Sequence, residues 1–65
     1  MPDDQVERLA AALHAGDLDE IRGLLDAWRD LGLGFAAVKG ILLRIDPGWT
    51  NHDVEWLFRQ VGIAL

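Results

Sequence analysis

Residues 17–34 read Asp17-Leu18-Asp19-Glu20-Ile21-Arg22-Gly23-Leu24-Leu25-Asp26-Ala27-Trp28-Arg29-Asp30-Leu31-Gly32-Leu33-Gly34. Ile21, Leu24, Leu25, Trp28 and Leu31 recur at spacings of three and four, so they line one face of an α-helix and no face of a strand. Asp17 stands three residues before Glu20, the spacing at which a capping box satisfies two free backbone donors. Gly32 and Gly34 break the pattern. A helix with a single apolar face needs partners to cover that face, and the flanking sequence predicts three more helices.

Upstream, Asp4 and Glu7 repeat the capping-box spacing. Val6, Leu9, Ala10 and Leu13 form the stripe of a first helix, which Gly16 ends by taking the left-handed conformation. Downstream, Phe35 to Ile45 places Val38, Ile41, Leu42 and Ile45 on one side. Pro47 stops this third helix, because the residue before a proline avoids the α region. The fourth helix has the clearest start: Thr50 is a good N-cap, Asp53 follows three residues later, and Trp49 and Val54 have the spacing of a hydrophobic staple. Val54, Leu57, Phe58 and Val61 continue inward. Gly62 ends the helix, with Ile63 folding back onto Phe58 as in a Schellman motif. Gly23 and Gly40 interrupt helices at a cost of about 1 kcal/mol each relative to alanine, for which close approach of a neighbouring helix is the expected compensation. The expected fold is all-α, a compact bundle of four short helices forming one small domain over residues 1–65.

Such a short chain needs a dense core or an associated partner to be stable. It contains 24 Val, Ile, Leu, Phe and Trp residues, a generous supply for one small core. The surplus is expected outside, at Leu33, Leu43, Trp56 and Leu65. Trp56 falls off the stripe of its helix, beside His52 and Arg59. It either closes an edge of the core with its ring N–H in water or anchors an interface.

There are no cysteines, so neither a disulfide nor a thiolate metal site is available. Met1-Pro2-Asp3-Asp4 is acidic where a secretory signal needs positive charge, and no apolar run is long enough to span a bilayer. The expectation is a soluble, cytoplasmic protein. Five arginines against a single lysine point to GC-rich coding and a bacterial or phage source.

The net charge is −5, and all of it lies in residues 1–30, where eight acids face three arginines; residues 31–65 are balanced. That balance disfavours phosphate-backbone binding, which depends on Lys and Arg displacing counterions, and it disfavours anionic membrane surfaces. It favours a basic protein partner. Asp3, Asp4, Glu7, Asp17, Asp19, Glu20 and Asp53 lie near helix starts, where acids complement the helix dipole. Asp26 and Asp30 do not; they repel each other at i, i+4.

Catalytic chemistry has little to work with. The chain lacks Ser, Cys and Tyr, and its one Thr is the N-cap Thr50. His14 and His52 have no second ligand at metal-binding spacing, and Asp17-x-Asp19-Glu20 lacks the glycine turn and closing Glu of a calcium loop. No enzyme activity, cofactor or metal is expected. A helix-turn-helix over helices two and three is a further alternative, but its reading helix offers only Lys39 and Arg44 where base contacts want several long polar groups.

The expected function is therefore a non-enzymatic protein-interaction protein. In its sharpest form it is a small inhibitor whose acidic residues Asp17, Asp19, Glu20, Asp26 and Asp30 occupy a nucleic-acid groove of a partner, with Trp56 as a separate contact. Small phage proteins that block CRISPR effectors share this size and charge, a likeness of class that no motif carries. The competing expectation is a docking or oligomerisation module, with a homodimer covering the surplus apolar residues.

Overall fold

The computed structural model describes residues 3–63, with side chains from Asp4 onward. Four helices follow in order: α1 (Asp3–Ala15), α2 (Leu18–Asp30), α3 (Phe35–Ile45) and α4 (Asn51–Gln60). The fold is the expected all-α bundle. Helix α1 begins two residues earlier than its capping-box spacing predicts, at Asp3 instead of Gln5, so Asp4 sits inside the first turn and complements the dipole there instead of acting as N-cap. Asp3's side chain and Leu65 lie outside the described residues.

The core draws on every helix. Leu9, Ile21, Leu24, Leu25, Trp28, Val38, Ile41, Leu42, Val54, Leu57 and Phe58 are buried, and Val6, Leu13, Phe35, Ile45 and Trp49 pack against them from the edge. Ala12 is buried too, although the predicted stripe on α1 passes beside it. The α1–α2 hairpin is the most extensive helix pair, and α3 touches both α1 and α4. The radius of gyration is 10.5 Å, against about 11 Å for a compact chain of this length.

Three of the four helices end in the same way. Gly16, Gly32 and Gly62 have φ of 69°, 85° and 76°. At each, two backbone bonds close a Schellman motif: Asp17 N–H to Ala12 O with Gly16 N–H to Leu13 O, Leu33 N–H to Trp28 O with Gly32 N–H to Arg29 O, and Ile63 N–H to Phe58 O with Gly62 N–H to Arg59 O. The residue after each glycine is thereby turned back toward the helix. Ile63 lands in the core, as expected.

The same device corrects the reading of α2. Leu31 continues the apolar period and was expected inward, yet it is 75% exposed. Leu33 was expected outside, yet it packs against the core. Gly32 is the cause. It ends the helix before Leu31 can complete the stripe, and it turns the chain back so that the Leu33 N–H meets the Trp28 carbonyl and the Leu33 side chain packs against the core.

The α3–α4 corner is held by side chains. Asp46 is extended before Pro47, and its Oδ1 accepts the Gly48 N–H at 2.9 Å. Thr50 Oγ1 accepts the Asp53 N–H at 3.2 Å, and Asp53 Oδ2 accepts the Thr50 N–H at 3.0 Å, completing the capping box.

Gly23 and Gly40 overturn the packing explanation. Both are exposed, and a Cβ added at either would meet nothing within 4 Å. They weaken their helices without compensation inside this chain. Gly23→Ala and Gly40→Ala are each expected to raise stability by about 0.5–1 kcal/mol. Alanine at Gly16, Gly32 or Gly62 is expected to lower it by about 1–2 kcal/mol, because the left-handed conformation is strained for an L side chain. Urea denaturation midpoints distinguish the two signs directly. In the same assay Leu33→Asp is expected to be severely destabilising and Leu31→Asp nearly neutral.

Candidate functional site

Helix α2 presents the acids. Its buried face carries Ile21, Leu24, Leu25 and Trp28, so the opposite face is fixed toward solvent. At 100° per residue, Asp19, Asp26 and Asp30 fall within about 40° of one another and span about 16 Å along the axis. They form a row on the outer side of the helix.

The five α2 acids have unequal freedom. Asp17 is the N-cap and accepts the Glu20 N–H at 3.2 Å. Glu20 does not complete the predicted capping box. Its carboxylate instead pairs with Arg8 of α1 at 2.6 Å, tying the hairpin together. Asp26 lies between two arginines, with Arg22 Nε at 3.6 Å and the Arg29 guanidinium at 3.2 Å. These pairs are solvent-exposed and each contributes at most about 1 kcal/mol, but they neutralise much of the local field.

Asp19 and Asp30 have no ion-pair or hydrogen-bond partner among the described residues. Asp19 is in the first turn of α2, where the dipole favours it. Asp30 is the last residue of α2, where the dipole opposes a negative charge, and Asp26 repels it one turn back. Among the α2 acids it has no structural benefit to offset its cost.

Trp56 is 53% exposed on α4. With Trp49, Asp46, Gly48 and Asp53 it lines an open cleft of about 230 Å³ at the α3–α4 corner. Trp49 packs on the edge of the core, while Trp56 is not among the residues packed against it and stands out beside it. Sequence reasoning found Trp56 but not the cleft, whose two carboxylates look in the sequence like ordinary turn and cap residues. A smaller cavity under Leu33, Phe35 and Phe58 has mostly apolar walls from the core.

His14 closes the last turn of α1 and His52 sits in the first turn of α4, both exposed. Among the described residues, no three His, Asp or Glu side chains converge, and no helix is long and apolar enough to cross a membrane. The outward face of α3 offers Ala36, Gly40, Leu43 and Arg44, with Lys39 half-buried. That face is largely apolar, with Arg44 as its exposed long polar side chain where base readout wants several.

Replacing Asp30 removes a repulsion and an unfavourable dipole contact. Asp30→Lys is expected to stabilise the fold by up to about 1 kcal/mol, and Glu20→Gln to destabilise it by no more than about that amount; thermal unfolding at low ionic strength checks both. Comparison with known protein families, with curated proteins and with solved structures finds no match for this chain.

Proposed function

We propose that this chain is a non-enzymatic protein-interaction module whose outer α2 face docks on a basic surface, most specifically a groove that otherwise holds nucleic-acid phosphates. Asp30 carries the reading. An unpaired carboxylate at a helix C-terminus, one turn from another acid, lowers stability where it stands. Residues that break a local rule without local compensation are those to examine first for function. Asp19 extends the row at the other end of the helix, with Asp26 between them. Asp17 and Glu20 serve the fold, so the electrostatic contact rests chiefly on Asp19, Asp26 and Asp30. Inhibition follows from occupancy: a carboxylate row seated in such a groove excludes the nucleic acid that would bind there.

The test is capture from a GC-rich bacterial lysate by the wild-type chain and by an Asp19→Lys/Asp30→Lys variant. The expected result is a nucleic-acid-binding protein that wild type retains, that high salt releases, that duplex DNA displaces, and that the variant fails to hold. Equal retention by the variant, or indifference to duplex DNA, would falsify this reading. Circular dichroism of the variant confirms that its helices persist.

Self-association is the second reading, favoured by the apolar outer face of α3. Ala36, Gly40 and Leu43 lie at i, i+4 and i+7 and are all exposed. If two copies pair through this face, sedimentation shows a mass that rises with concentration and falls back on Leu43→Glu.

A further inference from the structure

We propose that the cleft at the α3–α4 corner receives an arginine side chain from a partner protein. Its lining combines two indoles, Trp49 and Trp56, with two carboxylates, Asp46 and Asp53, and includes no Lys or Arg. Aromatic faces attract cations through the ring quadrupole. A guanidinium also stacks flat on an indole and forks onto a carboxylate, which an ammonium cannot do. The two halves of the lining therefore suit one occupant together. An anionic ligand meets two negative charges there, and a purely apolar one leaves both carboxylates facing it.

The carboxylates are already in position. Asp46 uses Oδ1 to hold the Gly48 N–H, and Asp53 uses Oδ2 to hold the Thr50 N–H. Each keeps its second oxygen without a donor among the described residues. The turn and the capping box fix both groups before anything binds, so little side-chain entropy remains to be lost. At about 230 Å³ the cleft is smaller than the pockets that bury drug-sized ligands, and it suits a single long side chain. It shares no residue with the α2 face and stands or falls separately from the function proposed above.

The indole N–H signals of Trp28, Trp49 and Trp56 report the site by ¹H–¹⁵N NMR. The probe is acetyl-Gly-Arg-Gly-amide at low ionic strength, compared with the same peptide carrying neutral citrulline. The arginine peptide is expected to shift the Trp49 and Trp56 signals saturably and to leave Trp28, which is fully buried and bonded to Gln5. The citrulline peptide is expected to bind about fivefold more weakly or worse. An Asp46→Asn/Asp53→Asn variant keeps the capping oxygens but not the charges, and a comparable loss is expected. Trp56→Ala should remove the saturable response at Trp49, with the Trp28 signal in its native position certifying the fold. Equal binding of the two peptides, no saturable shift, or full binding by Trp56→Ala would overturn the proposal. The Asp19→Lys/Asp30→Lys variant should keep the saturable shifts at Trp49 and Trp56, with any weakening confined to the long-range attraction that added salt screens in both proteins.

Discussion

Trp28 is the residue through which the structure is organised. Its side chain is fully buried, and its indole N–H donates to Gln5 Oε1 at 2.8 Å, fastening the end of α2 to the start of α1. Its backbone carbonyl accepts the N–H groups of Leu31 and Leu33, at 3.0 and 2.9 Å, so the same residue directs the chain out of α2 toward α3. Burying an indole gains a large apolar contribution only if the polar edge finds a partner. Gln5, half-buried on α1, is that partner. The bundle therefore has one joint in which burial, hydrogen bonding and chain reversal coincide.

Much of this was legible in the sequence because it rests on local rules. Thr50 and Asp53 are spaced for a reciprocal cap and form one. Gly62 followed by Ile63 has the pattern of a chain that turns back, and it does turn back. Gly32 followed by Leu33 has the same pattern, yet there the hydrophobic period pointed to Leu31. Periodicity gives the face a residue would occupy if the helix continued; it does not say where the helix stops. A left-handed glycine sets that stop, and at residues 31–33 it prevailed over the stripe. Gly23 and Gly40 show the opposite limit: the cost of a mid-helix glycine can be read from sequence, while the presence of a neighbour cannot.

The charges were legible as a sum and not as an arrangement. The excess of acid in the first thirty residues can be counted, but Glu20 meets Arg8 only because α1 and α2 pack against each other. Asp26 has Arg22 one turn before it and Arg29 one turn after it and gathers both, whereas Asp30 has no cation at either helical spacing and gathers none among the described residues. The outer face of α2 thus sorts into acids that hold the hairpin and acids that are left to solvent. The corner cleft was hidden for a related reason. Asp46 and Asp53 belong to different local motifs, and only the turn between α3 and α4 sets them around the same two indoles.

Asp17 closes the end of α1 through its N–H and opens α2 through its side chain. One residue doing both leaves no slack between the helices. An added residue at that joint would force a choice between the two roles, or swing α2 by about 100° and carry its buried face away from α1. Divergent descendants of this sequence should therefore accumulate substitutions far more readily than insertions there.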